Sequence, residues 1–470
     1  MKIHFVGAAR TVTGSQHLLE VNGSRLLLEC GFFQGNGNDS FEKNRHFFYD
    51  PKTIDAVILS HAHLDHSGNL PNLVGNGFSG PIYATKPTAK LAEIMLLDSA
   101  HIQEENAAYF NKKRSRRGLP AVDPIYTRED AARVTRHIYP INYDEEFEPV
   151  PGITARLLDA GHILGSAAIV LDITEKGHKP YRLWFSGDIG RLKLPLMRDP
   201  VLPENADTLI MECTYGDKAH RDPEEAFIEF RQILVKTIER GGKVIIPAFS
   251  VGRTQELVFD LNRMLADGSI PAIPVYVDSP LAVSATDIFK QFKSLFDEET
   301  QAFIREEKHP ALSFPSLTYT RSVEESKEIN KKYGPMVIIS ASGMAESGRI
   351  LHHLKNNIED ERNTVVIVSW QAPNTRGRQL AEQEKEITIF GEKFFRRAEV
   401  ATIGGLSAHA GQDFLLEYAQ ASAATLKQIF LVHGEKRAAD ALMEKLAEQT
   451  RIKVDYPLQQ QMVEIQPKFI

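Results

Sequence analysis

The sequence is poor in cysteine and in long apolar segments. Its 470 residues include only two cysteines, Cys30 and Cys213, so no disulfide framework is predicted and a reducing cytoplasm is the expected location. No apolar run approaches the length of a membrane span, so we expect no membrane partner. The amino-terminal segment Lys2–Gly7 is too short, and too soon interrupted by glycine, to be a secretory signal; it is typical of an edge strand.

The chain also lacks an excess of positive charge, since its formal net charge is −7. Proteins that coat nucleic acid gain affinity by neutralising phosphates, so this class is disfavoured. An enzyme that binds a short stretch of backbone in a cleft remains compatible, because bound cations and a few Arg or Lys side chains can reverse the local sign. The basic segment Lys112–Arg117 has two interpretations: the solvated end of a helix, which we favour, or a contact with a polyanion.

Short apolar strands alternate with helical patterns for most of the chain, which predicts an α/β protein of two or three domains. The predicted early elements are strands at Lys2–Gly7, His17–Val21, Arg25–Glu29 and Ala56–Ser60 and a helix at Thr88–Phe110. Strands at Arg182–Ser186 and Thr208–Glu212 follow.

The pattern of predicted secondary structure changes after Glu212, where repeated strand–helix units indicate an open parallel sheet with its own core. Its predicted strands are Lys243–Pro247, Val275–Asp278, Met336–Ser340 and Thr364–Trp370. Two β-rich runs, Glu386–Phe390 and Phe394–Thr402, then resume the earlier style. We therefore predict a discontinuous first domain, residues 1–213 and 387–470, interrupted by an inserted domain at residues 214–386.

The strongest local signal is the segment His61–His66, which has the pattern H-x-H-x-D-H directly after a run that suits a buried strand. At strand spacing His61 and His63 point the same way and can bind one metal ion, whereas Asp65 and His66 lie past the turn and can face a second ion. A single histidine is more often structural, but four such residues within six positions favour metal binding.

More ligands are needed, because a catalytic zinc ion takes three or four protein ligands and a water. The chain offers three further candidates at strand ends: His162 between two glycines, Asp188 after an apolar strand, and His433 after another. Each of them alone is more often structural than functional. A carboxylate shared by two ions would explain why one additional aspartate is sufficient.

Together these residues resemble the motif series of the metallo-β-lactamase superfamily: a carboxylate in an early strand, H-x-H-x-D-H, a lone histidine, a bridging aspartate and a final histidine. The resemblance extends to the β-CASP branch through Glu212 in Met211–Gly216, His409 in Gly405–Ala410 and His433 in Val432–Glu435. It is closest to bacterial and archaeal ribonucleases similar to the nuclease subunit of the cleavage and polyadenylation specificity factor, and we expect no KH-like extension before Met1. The fold it implies is α/β, a metallo-β-lactamase αββα sandwich with an inserted α/β β-CASP domain.

The resemblance also implies a ligand set for two Zn²⁺ ions per chain, with Mn²⁺ as the alternative metal. One ion is expected on His61, His63 and His162, the other on Asp65, His66 and His433, with Asp188 bridging them. Glu29 occupies the early-strand position, where the usual residue is Asp, and we expect it to support the ligands by hydrogen bonds.

Catalytic roles follow from the same resemblance for Asp65, Asp188, Glu212 and His409. His409 is the candidate proton donor to the leaving 3′-oxygen, and Glu212 would raise its pKa and fix its tautomer. Ser407 either contacts the same phosphate or caps the following helix, predicted at Gln412–Ala419.

The predicted insertion contains two Gly-Arg turns, at Gly252-Arg253 and Gly348-Arg349. Both follow strands and precede helical patterns, so they are candidates for phosphate contact, with a purely structural turn equally favoured for either.

The expected function is hydrolysis of phosphodiester bonds in single-stranded RNA, in RNA processing or decay. Endonuclease action is expected, and additional 5′-exonuclease action is left open. The first alternative is another hydrolase on the same scaffold, acting on a thioester, a lactone or a β-lactam. The second is a β-CASP DNA nuclease, which usually carries Val at the position of His433. The third is a non-enzymatic subunit of an RNA-processing complex, a class in which the ligands are lost. The sequence leaves open the RNA target and the oligomeric state, a homodimer included.

Overall fold

The computed structural model describes residues 1–35, 38–307, 310–372, 374–405 and 407–465. The chain divides into two compact units. The first comprises Met1–Leu192, Asp199–Ala219 and His409–Ile470, and the second comprises Lys193–Arg198 and His220–Ala408.

The first unit contains fourteen of the strands formed by described residues, eleven before the second unit and three after it. They are β1 (Lys2–Phe5), β2 (His17–Val21), β3 (Ser24–Leu28), β4 (Ala56–Ile58), β5 (Ile82–Thr85), β6 (Ile138–Ile141), β7 (Phe147–Val150), β8 (Ile153–Asp159), β9 (Ala167–Ile173), β10 (Tyr181–Phe185), β11 (Thr208–Glu212), and, after the second unit, β20 (Gln428–Val432), β21 (Lys453–Asp455) and β22 (Gln461–Glu464).

Its helices are α1 (Asn38–Arg45), α2 (Leu64–Ser67), α3 (Leu70–Gly75), α4 (Lys86–Ser115), α5 (Arg128–Val134), α13 (Gln412–Gln420) and α14 (Lys436–Gln449), with short 3₁₀ helices at Pro51–Thr53 and Thr135–His137. No described helix in the chain is both long enough and apolar enough to cross a membrane.

Two seven-stranded sheets pack face to face in this unit. Their orders are β22-β1-β2-β3-β4-β5-β6 and β21-β20-β11-β10-β9-β8-β7. Strand β9 shows how the sequence encodes the layers, because alternate residues of a strand point to opposite faces. Ile169 and Leu171 lie in the core between the sheets, whereas Ala168 and Val170 face a second core with α13 and α14. Burial on both faces explains why β9 is apolar from Ala167 to Leu171.

The second unit is built on a six-stranded sheet whose described pairings are all parallel, in the order β14-β13-β15-β12-β16-β19. Its strands are β12 (Lys243–Pro247), β13 (Val275–Asp278), β14 (Leu317–Thr320), β15 (Met336–Ser340), β16 (Thr364–Ile367) and β19 (Glu399–Thr402), and a separate hairpin consists of β17 (Glu386–Ile389) and β18 (Glu392–Phe395). Its helices are α6 (Pro223–Glu239), α7 (Arg253–Ala266), α8 (Pro280–Gln291), α9 (Glu298–Glu307), α10 (Val323–Lys331), α11 (Ile350–Asn357) and α12 (Arg376–Ala381), with a 3₁₀ turn at Lys293–Leu295.

Two expectations from the sequence differ from the structure. The segment Lys2–Gly7 is not an edge strand, because β1 pairs with β2 on one side and with the carboxy-terminal β22 on the other. The run Phe394–Thr402 is not one strand either: its first part belongs to the β17–β18 hairpin, and β19 pairs with β16 in the sheet of the second unit. The second unit therefore extends to Ala408, whereas the sequence places the boundary at residue 386.

Candidate metal centre

Four strand ends of the first unit carry the polar residues of the site. His61 follows β4, Asp188 follows β10, Glu212 ends β11, and His433 follows β20. Strands β10, β11 and β20 are parallel neighbours, so their carboxyl ends meet at one edge of the sheet. This is the edge at which α/β sheets place their ligands.

The segment His61–His66 turns from strand into helix, and a glycine lets it pack closely. His63 caps the short helix α2, which carries Asp65 and His66. A Cβ atom at Gly31 would lie 1.7 Å from the backbone oxygen of Asp65, so only glycine permits this approach. The close packing holds the two ligand candidates of α2 against the early strands.

The loop that carries His162 is fixed in a similar manner. The Ser166 hydroxyl accepts hydrogen bonds from the backbone amides of His162 and Ile163, at 3.0 and 3.2 Å. On the other side, a Cβ atom at Gly190 would lie 1.9 Å from the Gly161 oxygen. Gly190 also forms an isolated β-bridge with His409, which brings the late histidine to the same place.

Three histidines form the first candidate ligand group. The Nδ1 atom of His63 lies 3.1 Å from Nε2 of His61 and 3.3 Å from Nε2 of His162. Oδ2 of Asp188 completes the group, at 3.4 Å from His61 Nε2 and 3.5 Å from His162 Nε2. All of these donor atoms lie within 4.8 Å of one another, which fits a single tetrahedral ion.

The second ligand group consists of Asp65, His66 and His433. Nε2 of His433 lies 3.3 Å from Nε2 of His66 and 3.5 Å from Oδ2 of Asp65. The other oxygen of Asp188, Oδ1, lies 3.2 Å from His66 Nε2. Asp188 thus presents one oxygen to each group, as a bridging carboxylate must.

The protonation of the first group suits a metal. Burial lowers the pKa of His61, His63 and His162, which favours the neutral imidazole that binds a cation. Burial alone would raise the pKa of Asp188, but the neighbouring His433 and His66 hold it well below its usual range. The buried imidazole nitrogens converge on a carboxylate and on one another. A cation can bind to such a group of atoms.

Glu29 supports the second group through a hydrogen bond to His66. It accepts a hydrogen bond from Nδ1 of His66 at 2.6 Å and others from the backbone amide and hydroxyl of Ser60, at 2.5 and 3.0 Å. These contacts direct Nε2 of His66 towards His433. Burial raises the pKa of Glu29, and the hydrogen bonds oppose that shift.

Glu212 and His409 form a pair beside the ligands. Nδ1 of His409 lies 3.0 and 3.2 Å from the two carboxylate oxygens of Glu212, which also accept from the backbone amides of Ile189 and Thr214. Burial would lower the pKa of His409, but Glu212 and Asp188 overcome this effect and raise it to about 9. Nδ1 of His409 is 4.0 Å from Asp188, so its ring adjoins the ligand groups.

The remaining sequence candidates, Ser407, Arg253 and Arg349, belong to the second unit. Ser407 is half-buried, and the helix that follows is capped by Gly411 instead. Arg253 is buried in an ion pair with Glu256. Arg349 bonds to Asp278 and to a backbone oxygen. Both arginines are thus engaged within the second unit, where they stabilise its turns.

Sequence reasoning missed several residues that orient the site. Ser60 holds Glu29, Ser166 holds the His162 loop, and the Thr214 hydroxyl lies 3.2 Å from Nδ1 of His433. Hydroxyl residues are common in loops, and nothing in the sequence distinguishes these three. Only Ser60 had a usable signal, its position between an apolar strand and the first histidine.

Three family models match the chain in succession. They are a metallo-β-lactamase superfamily domain at residues 18–177, a Beta-Casp domain at residues 254–380, and a Zn-dependent metallo-hydrolase RNA specificity domain at residues 396–457. The chain therefore belongs to the β-CASP branch of the metallo-β-lactamase superfamily, a class of metal-dependent hydrolases, which confirms the family predicted from the motifs.

Individual relatives match along most of their length. Ribonuclease TTHA0252 of Thermus thermophilus is 38% identical over 447 residues, which cover 95% of this chain and 96% of that protein. Transcription termination factor FttA of Methanosarcina mazei is 32% identical over 96% of this chain and 70% of its own length. A crystal structure of a protein of unknown function from Enterococcus faecalis V583 superposes with a TM-score of 0.56 at 13% identity, over 98% of this chain and 99% of that one, and shares the fold.

Proposed function

We propose that this protein is a two-zinc ribonuclease that cleaves phosphodiester bonds of single-stranded RNA in the cytoplasm. The observation that carries the proposal is the position of Asp188, whose two carboxylate oxygens face two different ligand groups. That geometry suits a pair of ions, which P–O hydrolases use to hold the attacking and leaving oxygens.

The donor set favours zinc. Five imidazoles and two aspartates surround the two positions, and imidazole-rich sites with few carboxylates suit Zn²⁺ better than Mg²⁺ or Ca²⁺. When bound, the ions would supply Lewis-acid polarisation of the phosphate and lower the pKa of water. Mn²⁺ remains the alternative metal.

His409 is the proposed proton donor. In the reaction a water oxygen forms a bond to phosphorus, the bond from phosphorus to the ribose oxygen breaks, and that oxygen takes a proton. Glu212 accepts from Nδ1 of His409, which fixes the ring and places Nε2 on the opposite side. Cations on the neighbouring ligands would lower the pKa of His409, and the Glu212 carboxylate opposes that effect.

RNA is the proposed substrate because the matched relatives and domain point to it. The relative with 38% identity is a ribonuclease by name, and the matched carboxy-terminal domain is described as an RNA specificity domain. The name of the termination factor relatives fits a role in RNA processing. His433 disfavours a DNA nuclease, and the complete ligand set disfavours a non-enzymatic subunit.

The test is a comparison of substrates. Zinc-loaded protein is incubated with single-stranded RNA labelled at either end, with DNA of matched sequence, and with a thioester. We expect cleavage of the RNA alone, and the two labels separate internal cleavage from removal of 5′ nucleotides. Turnover of the thioester or DNA with intact RNA would contradict the proposal.

A further inference from the structure

The far end of helix α4 carries a basic and aromatic surface that the metal centre does not use. We define the α4 tip as residues 106–122, the last turns of the helix and the loop that follows. This stretch contains five Lys or Arg residues and no Asp or Glu, in a chain whose net charge is −7. The cations are Lys112, Lys113, Arg114, Arg116 and Arg117.

Helix capping accounts for only part of this charge. Cations near a helix carboxyl end interact favourably with the last carbonyls, an effect confined to the final turn. Arg114 has a structural contact, since its Nε donates to the Pro120 oxygen at 2.7 Å. Within the described part of the chain, none of the five cations forms an ion pair with a carboxylate. The positive charge of the tip is thus not neutralised by an ion pair with a described carboxylate.

Two aromatic rings stand among the cations. Tyr109 is 56% exposed and Phe110 is 54% exposed, and their ring centroids lie 5.9 Å apart. The Lys113 ammonium lies 4.3 Å from the centroid of the Tyr109 ring. Exposed aromatics interleaved with cations are the combination that binds single-stranded nucleic acid, because rings stack on bases and cations meet phosphates.

The tip is also built as a fixed structure. The side chain of Asn111 bonds the backbone of Val122 in both directions, at 2.9 and 2.8 Å, which ties the returning loop to the helix. Nearer the body of the unit, the Tyr126 hydroxyl donates to Ser99 at 2.9 Å. These bonds hold the loop along the helix, so the cations and rings do not have to be ordered by a ligand.

The other end of α4 reaches the metal centre. The hydroxyls of Thr85 and Thr88 donate to the Gly165 oxygen at 2.6 and 2.8 Å, in the loop that carries His162. At about 1.5 Å of rise per residue, the tip lies roughly 35–40 Å along the helix from that loop. An RNA bound at both places must extend many nucleotides from the cleaved bond.

We propose that the α4 tip is a second binding site for single-stranded RNA, which holds the substrate by its phosphates and stacked bases at a distance from the metals. This inference rests on the proposed ribonuclease function. It assigns the phosphate contacts to Lys112, Lys113, Arg116 and Arg117, and the stacking to Tyr109 and Phe110. The site contributes affinity for long RNA and leaves the cleavage step unaffected.

The first test reverses charge at the tip. The variant Lys112→Glu/Lys113→Glu is compared with Lys176→Glu/Lys179→Glu, an equal charge change in the exposed turn after β9, at the end of that strand remote from the His162 loop. Dissociation constants for RNAs of about 40 and about 6 nucleotides are measured in chelator over a range of salt, and kcat/KM is measured with zinc. Each phosphate contact contributes about 0.7 to the salt slope for a single strand, so loss of two contacts lowers the slope for the long RNA by about 1.4.

The second test removes the rings. Tyr109→Ala/Phe110→Ala should weaken binding of the long RNA at least about fivefold, which corresponds to the low end of measured base stacking. Binding and cleavage of the short RNA should stay at the wild-type level in both tip variants, and the control should match wild type on both RNAs.

The outcomes separate this inference from the proposed function. Wild-type protein that cleaves both RNAs, with tip variants that bind long RNA with unchanged affinity and salt slope, overturns the tip site and leaves the ribonuclease standing. Failure of the wild-type protein to cleave either RNA contradicts the proposed ribonuclease function. A third arm uses vesicles containing phosphatidylserine: tip variants that lose vesicle binding but keep RNA affinity also overturn the inference.

Discussion

Two buried aspartates stand at the ends of parallel strands, Asp188 in the first unit and Asp278 in the second, and their surroundings differ. Asp278 ends β13 and accepts hydrogen bonds from four side chains: His353 and Arg349 at 2.7 Å, and Ser326 and Thr320 at 2.5 Å. Asp188 is surrounded mainly by imidazole nitrogens at 3.2–3.5 Å, and its Oδ1 accepts no well-formed hydrogen bond from a described residue.

These partners distinguish a structural carboxylate from a candidate metal ligand. Burial alone would raise the pKa of Asp278, but its four donors hold it well below the usual range, so its charge is satisfied within the protein. The oxygens of Asp188 face imidazole nitrogens. A neutral imidazole has one nitrogen that offers a lone pair and no proton. A bound cation would complete a buried carboxylate of the second kind.

The largest expected effect is that of Asp188→Asn. It removes one oxygen ligand from the shared position, so metal content should fall at both sites and RNA cleavage should fall to background. Metal analysis and cleavage assays on the same preparation check this. The matched control is Asp278→Asn, which should keep the metals. Normal metal content in Asp188→Asn would refute the bridging assignment.

His409→Ala should lower kcat roughly 10²–10⁴-fold, the usual contribution of a general acid, with both metals and RNA binding retained. Glu212→Gln should act in the same direction more weakly, because it removes the carboxylate but leaves the ring. The double variant should be no worse than His409→Ala, since both changes disable one unit. Loss of a metal in His409→Ala would make this residue a ligand instead.

Asp278→Asn should destabilise the second unit by about 3–5 kcal/mol, because Arg349 and His353 lose a buried charged partner. For a unit of this size that shift corresponds to a fall in Tm of roughly 6–20 °C. Calorimetry on metal-free protein measures Tm. Asp188→Asn is the reference variant, and its Tm should fall less. An equal fall in Tm in the two variants would contradict the structural role assigned to Asp278.

Glu29→Gln is expected to have the smallest effect, a loss of about 10- to 100-fold in metal affinity, which is typical when a hydrogen bond to a ligand is removed. The change should act mainly on the second ion, because Glu29 bonds His66 directly and reaches His61 of the first group only through the Ser60 hydroxyl. Competition with a chelator measures each affinity. A variant that binds both ions as wild type does would show that Glu29 has no role in holding His66.

Much of this architecture could be predicted from the sequence, and the reasons are local. Strands such as Val275–Asp278 and Met336–Ser340 are short apolar runs with clear ends, and the structure has the same bounds. The segment His61–His66 carries four chemistry-bearing residues within reach of one another. The sequence alone therefore indicates that these four side chains lie close together.

The remainder depends on pairings between distant segments. One of the two partners of β1 is a strand more than 450 residues away, and β19 joins the sheet of the second unit by pairing with β16. For Arg349 the sequence favours a phosphate contact and a structural turn equally, and the structure pairs it with Asp278, 71 positions earlier. None of these pairings leaves a mark in the local sequence pattern.

The most direct test of the two-ion account is a titration of metal-free protein with zinc, in which bound metal and cleavage of single-stranded RNA are measured together. We expect binding to saturate near two ions per chain, and activity to appear with occupation of the second. Full activity in protein that holds no more than one ion per chain would contradict the account.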